Sequence, residues 1–155
     1  MTNPIPDGYH TLTPHITVKD AAKAIDFYKA AFGTEEIARM DMGGIIGHAE
    51  MKVGNSRLML NDEFPDHGKF APPTQGSGVT LHLYVEDVDR VFKRAVDAGA
   101  EPVMPPDNMF WGDRYAQVKG PFGHAWGVAT HVEDVSHEEI GKRVKKMMSE
   151  QGGGS

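Results

Sequence analysis

Two histidines, His15 and His82, sit at equivalent places in a repeated stretch: Thr13-Pro14-His15-Ile16-Thr17-Val18-Lys19-Asp20 returns as Thr80-Leu81-His82-Leu83-Tyr84-Val85-Glu86-Asp87, an offset of 67 residues. The same offset carries Ala49-Glu50-Met51-Lys52 onto Ala116-Gln117-Val118-Lys119, and sets His48 and Glu50 against Tyr115 and Gln117. Two imidazoles related by a repeat could hold a divalent metal (Zn, Ni, Fe or Mn) if a carboxylate such as Glu50 completed the set, although Gln117 is a poor ligand. Without a metal, the same histidines hydrogen-bond in a polar pocket or to a ligand. Glu50 near His15 would then make an acid/base pair, since burial raises a carboxyl pKa toward the working pH. Phe110, Trp111, Tyr115 and Trp126 bring aromatic walls into a short stretch, with Pro105 and Pro106 bending the chain just before it. Such walls suit a flat ligand. Trp126, within a strand, reads as core; Trp111, in a loop, divides evenly between packing and ligand contact. His124 after a tight turn and His131 near a strand end read as structural.

These residues need elements to carry them. Leu12 to Val18 is a strand candidate that stops at Asp20, a helix N-cap, and Ala21, Ala24, Ile25, Tyr28 and Phe32 then recur at helical spacing before Gly33. In the second copy Val85 and the cap Asp87 precede Val88, Val91, Phe92 and Ala95, with Gly99 as the stop. Short strands follow: Glu36 to Met40, Gly47 to Val53 and Arg57 to Leu60, then Glu101 to Met104, Arg114 to Lys119 and Ala125 to Thr130. Gly54-Asn55 and Gly120-Pro121-Phe122-Gly123 supply turns. The pattern is βαβββ twice. Because a unit this size cannot easily bury its own apolar face, the two copies are expected to close on each other around a shared core and cleft.

The Pro- and Gly-containing stretch from Glu63 to Gly78 reads as a long irregular linker or lid. Ser136 with Glu139 reads as a capping box opening a helix through about Met148, whose Lys142, Arg143, Lys145 and Lys146 fall late, where cations suit the helix dipole. The closing Gly-rich residues read as a flexible tail outside the fold.

Sixteen basic against 22 acidic residues, without long runs, argue against nucleic acid or an anionic membrane as partner and leave a small neutral or cationic molecule open. The absence of cysteine excludes disulfides, thiolate metal sites and cysteine nucleophiles. No signal-like or membrane-spanning segment is present, so a cytoplasmic location is expected. No phosphate-binding glycine loop, dinucleotide fingerprint or nucleophile elbow occurs.

The tandem βαβββ with Val18-Lys19-Asp20 before the Ile25-Asp26-Phe27-Tyr28 helix, closed by Gly120-Pro121-Phe122-Gly123-His124, resembles the vicinal oxygen chelate superfamily of glyoxalases, fosfomycin and bleomycin resistance proteins and extradiol dioxygenases. Within it, Phe110-Trp111-Gly112-Asp113-Arg114-Tyr115, Pro121-Phe122-Gly123-His124-Ala125-Trp126 and Ala129-Thr130-His131-Val132-Glu133-Asp134-Val135 are similar to the PhnB-like subgroup. The resemblance implies an α+β fold of tandem βαβββ modules forming a curved, cup-like mixed sheet, plus a C-terminal helix. One domain would then fill residues 1–155: module 1 over about 9–62, linker 63–78, module 2 over about 79–132 and the helix over about 136–149. It also implies a homodimer, whose cleft modules of different chains could share.

In metal-dependent members each module supplies one ligand from its first strand and one from its last. By resemblance those columns fall on Thr13, Thr80, near Met59 and on Gly127, and a slip of one residue offers only Leu58, Leu60, Trp126 or Val128. None is a usable ligand. His15 and His82 lie two residues beyond the first-strand columns, on the same strand face. The favoured reading is therefore a protein that binds a small, flat or partly aromatic molecule in the cleft without a cofactor, through Thr13, His15, Met59, Thr80, His82, Trp111 and Tyr115. The alternative is a metal-dependent lyase, isomerase or dioxygenase-type enzyme on a shifted site of His15, His82 and Glu50, or a metal-free one with Glu50 catalytic.

Overall fold

A computed structural model describes residues 2–64, 72 and 78–152. Module 1 comprises β1 (His15–Val18), α1 (Ala21–Phe32), β2 (Glu35–Asp41), β3 (Ile46–Val53) and β4 (Ser56–Asp62). Module 2 repeats the order as β5 (Thr80–Tyr84), α2 (Val88–Asp97), β6 (Glu101–Asn108), β7 (Asp113–Lys119) and β8 (Ala125–His131), and α3 (His137–Gly152) follows. The tandem βαβββ reading and the α+β class hold. The strands form two mixed four-stranded sheets, one per module, in the orders β1-β4-β3-β2 and β5-β8-β7-β6.

Local signals explain the helices. The Asp20 carboxylate accepts the Lys23 N–H at 3.1 Å, and Asp87 accepts that of Arg90 at 3.2 Å, each satisfying a donor the helix cannot bond itself. Gly33 ends α1 in the left-handed region, at φ 67°. Arg94 of α2 donates to the Ala30 and Lys29 carbonyls at 2.7 and 3.2 Å, so the second helix caps the C-terminus of the first.

Strand alternation decides which face does what. In β3, Ala49 and Met51 are fully buried toward the helices, whereas His48 and Glu50 lie half-buried on the other face. In β7 the same split sends Ala116 and Val118 to the core and leaves Tyr115 and Gln117 on the opposite face. The modules join through α1 and α2, which pack together, and through Trp126 of β8. Trp126 is 2% exposed, with its ring 4.6 Å from that of Phe32 and 5.3 Å from that of Tyr28. Phe122 adds to this cluster against Phe27 and Tyr28. Trp126 is core, as its strand position implies.

Several boundaries differ from expectation. β1 begins only at His15, so Thr13 precedes the strand and bonds the His10 carbonyl at 3.2 Å. β6 runs through Pro105 and Pro106 to Asn108, because it is an edge strand whose outward side needs no N–H, and its register slips between Met104 and Asp107. At α3 only half of the capping box forms: Ser136 accepts the Glu139 N–H at 3.1 Å, while the Glu139 carboxylate turns to Arg143 at 3.3 Å. This helix continues to Gly152, which places the basic residues mid-helix and leaves none in the last turn. Arg143 instead pairs with Glu133 at 2.7 Å. Most of the linker and the last three residues lie outside the described residues. Among the described residues no helix is long and apolar enough to cross a membrane.

Trp126→Ala removes the ring on which both modules pack, and should cost about 3–5 kcal/mol. Urea denaturation followed by circular dichroism checks this; a midpoint close to wild type would show that the modules do not depend on the junction.

Candidate functional site

The chemistry-bearing side chains gather on the two sheet faces turned away from the helices. On module 1, β1 and β4 pair in parallel with His15 opposite Met59, and β3 sets Glu50 against the same Met59. His15 Nε2 lies 2.8 Å from Asn61 Oδ1. The Asn61 amide nitrogen donates to the Asp62 carbonyl at 2.7 Å, which turns Oδ1 toward the imidazole. With Oδ1 as the acceptor, His15 donates through its Nε2–H. The His48 ring meets that of His15 edge-on at 5.7 Å, and His48 Nε2 reaches Glu50 Oε1 at 3.3 Å.

Glu50 is held below the ordinary carboxylate range. The strongest influence is the Tyr9 hydroxyl, followed by the opposing cost of desolvation and then by His48 and Arg57. The Tyr9 hydroxyl is buried and approaches Glu50 without a complete hydrogen-bond geometry. Glu50 is therefore an ionised acceptor, not the raised carboxylic acid that burial alone would make.

On module 2, β8 places Gly127 opposite both His82 and Gln117, and Ala129 opposite both Tyr84 and Tyr115. These small residues leave room for rings from the flanking strands to meet. The His82 and Tyr115 rings stack at 5.6 Å with 12° between planes. A Cβ on Gly127 would stand 3.0 Å from His82 Nδ1 and 3.1 Å from Tyr115 Cε2. His82 also meets Tyr84 at 4.8 Å, and Tyr115 meets Trp111 at 5.8 Å. Four rings thus run in a belt, Trp111, Tyr115, His82 and Tyr84, and Gln117 steadies it by donating to the Tyr115 hydroxyl at 2.7 Å.

Both ends of the belt reach Asp113, which is 3% exposed. Tyr84 Oη and Trp111 Nε1 each donate to its Oδ2 at 3.0 Å, and His131 Nδ1 lies 2.9 Å from its Oδ1. Burial acts to raise this carboxyl, but the bonds from His131, Tyr84 and Trp111 outweigh it and hold Asp113 ionised. The loop carrying Trp111 is fixed from behind: Val132 and Glu133 donate to the Gly112 carbonyl at 3.0 Å, and Arg143 of α3 donates to that of Phe110, also at 3.0 Å.

The structure brings His15, Glu50 and Met59 together on one face, and His82, Trp111 and Tyr115 on another. Within one chain β1 and β5 make no contact, so His15 and His82 are not joined in a shared set. Among the described residues no three His, Asp or Glu side chains are arranged to hold a metal ion. A cleft of about 960 Å³ follows the open edge of β5; it takes in Thr13, Thr80 and His82, together with Phe32 and Trp126 at its base.

Asn61, Tyr9 and Asp113 were not among the residues expected from the sequence. Period two from Met59 would have pointed to Asn61, and period two from Tyr115 to Asp113. Tyr9, in an irregular arm, carries no such signal. His131, expected to be structural, bridges Asp113 and Asp134.

A sequence profile described as the glyoxalase/bleomycin resistance protein/dioxygenase superfamily matches residues 9–128. Uncharacterized proteins of Mycobacterium tuberculosis and Mycobacterium bovis are 43% identical over 148 residues, covering 92% of this chain and 85% and 95% of theirs. Among solved structures, TioX from Micromonospora superposes with a TM-score of 0.64 at 26% identity, covering 79% of this chain and 99% of TioX. An Arabidopsis thaliana gene product gives a TM-score of 0.66 at 27% identity, covering 77% and 98%.

Gly127→Ala should force the His82–Tyr115 stack apart at a cost of about 1–3 kcal/mol. Urea denaturation measures the loss, and weakened ring-to-ring NOEs between His82 and Tyr115 locate it; unchanged values of both would mean that the rings have slack above β8.

Proposed function

The chain belongs to the glyoxalase/bleomycin resistance protein/dioxygenase superfamily, and from that premise we propose that it binds a small, flat, partly aromatic molecule against the ring belt of module 2, without the metal site usual in the family. The belt carries this reading. Stacked and edge-on rings over a small-residue strand offer a flat molecule both apolar area and quadrupole contacts. The exposed His82 and half-buried Tyr115 present polar atoms beside those faces. At the positions where metal-dependent relatives would place ligands stand Thr13, Thr80, Met59 and Gly127, whose hydroxyl, thioether and hydrogen groups hold a divalent ion poorly.

The module 1 face supports a complementary role. His15, oriented by Asn61, presents an imidazole, and Glu50, held below the ordinary carboxylate range, offers an acceptor. Since a single chain leaves the two faces apart, we propose a homodimer in which module 1 of one protomer faces module 2 of the other. The PhnB-like subgroup is the placement within the superfamily that the Phe110 to Tyr115 and Ala129 to Val135 runs favour.

Mass spectrometry of the small molecule that co-purifies with untagged protein identifies the ligand, and calorimetry with it tests the site. Binding should survive chelator treatment. It should weaken by about 1–3 kcal/mol in each of His15→Ala, His82→Ala and Trp111→Ala, as a stacking face or hydrogen-bond partner is lost. Binding that disappears on chelation and returns with stoichiometric Zn²⁺ or Ni²⁺, with metal uptake abolished in His15→Ala and His82→Ala, would replace this reading with the metal enzyme. Light scattering at tens of micromolar should give twice the chain mass, and a monomer would remove the shared cleft.

A further inference from the structure

We propose that Asp113 is the positioning residue of the aromatic belt and that the proton on His131 sets how firmly it holds Tyr84 and Trp111. The inference rests on the belt being the ligand face; its test does not. Asp113 is a buried carboxylate that touches no open part of the belt, yet it accepts from both of its ends. The four rings and this carboxylate close a circuit, from Asp113 to Tyr84, His82, Tyr115, Trp111 and back to Asp113. Rotation of either end ring would break a bond to a buried charge, so Asp113 selects one rotamer for each.

His131 governs the strength of that hold through hydrogen-bond stoichiometry. Its two ring nitrogens each face a carboxylate, Nδ1 toward Asp113 at 2.9 Å and Nε2 toward Asp134 at 2.7 Å. Carboxylates only accept, and a neutral imidazole has one N–H, so both contacts are satisfied only by the imidazolium. Loss of the proton releases exposed Asp134 to water. The bond to buried Asp113 then loses the donor's positive charge, and the negative charge there falls more heavily on the Tyr84 and Trp111 donors. The charged groups around His131 are Asp113 from β7 and Asp134 from the following segment, with Tyr84 of β5 reached through Asp113 and the Glu133–Arg143 pair tying that segment to α3.

The sign follows from these partners. Asp134 first, and then Asp113, raise the His131 pKa above its ordinary 6.5. The His131 bridge between Asp113 and Asp134 is therefore complete below that pH and is lost as pH rises through the folded-state value, while the bonds from Tyr84 and Trp111 to Asp113 carry more of its charge.

The test is an NMR titration of the whole protein without ligand, so that a failure of the binding proposal leaves its outcome unaffected. The chain has two tryptophans, and Trp111→Phe assigns the Trp111 indole N–H. That resonance and the His131 ring should titrate with one shared midpoint above 6.5. Asp134→Asn, on the surface, should lower both midpoints together. Asp113→Asn should abolish the Trp111 titration and speed exchange of its indole proton by about tenfold or more, the loss of a bond to a charged group. A Trp111 resonance that stays flat while His131 titrates overturns the proposal, as does an Asp134→Asn midpoint that moves for His131 alone. If Asp113→Asn does not fold, the wild type and Asp134→Asn decide the question.

Discussion

The rest of the molecule depends on the aromatic packing of Trp126 into α1. That single contact set, with Tyr28, Phe32 and Phe122 around it, anchors the last strand of module 2 to the helix of module 1. Because both sheets spend their apolar faces on the paired helices, strand alternation leaves His48, Glu50, His82, Tyr84, Tyr115 and Gln117 on the far faces. The junction thereby decides where chemistry can occur. It also explains why His15 and His82, equivalent in the repeat, lie on sheets that do not meet within one chain.

The two modules share a framework and differ through a few small substitutions. Over His15 the neighbouring strand presents Met59, and the imidazole turns to Asn61 and His48. Over His82 it presents Gly127, and the imidazole lies flat on Tyr115. Removing a side chain from the central strand converts a polar hydrogen-bonding face into an aromatic one. One module thus holds imidazole and carboxylate groups on its far face, and the other holds rings.

Much of this was legible in the sequence because its causes are local. Asp20 and Asp87 cap the helices, Gly33 takes the left-handed turn, and alternation separates Ala49 and Met51 from His48 and Glu50 within a few residues. The sites were legible only in part, because their causes are distant. Asn61 acts on His15 across 46 positions of chain and Tyr84 on Asp113 across 29; strand alternation can place each residue on a face, but nothing local pairs it with its partner. Gly127 stood in the sequence only as a column without a ligand side chain, and its steric use emerges when β5 and β7 flank it. The α3 dipole reading failed because no glycine or proline stops the helix at Met148, so it ran one turn further and placed its cations mid-length.

The prolines of β6 have a consequence for how copies of this chain can meet. Pro105 and Pro106 occupy an outer edge and lack the N–H groups that an added strand would require. The other outer edge, β2, is exposed and carries Glu35, Glu36, Arg39 and Asp41 with two register irregularities, a surface that pairs poorly with a flat strand. Of the inner edges, β1 is four residues long with three of them buried. Among the described strands that leaves β5 as the one accessible rim. A particle with a single rim open to strand addition can be joined once and then has none to offer, so such growth ends at a pair and cannot propagate into a filament.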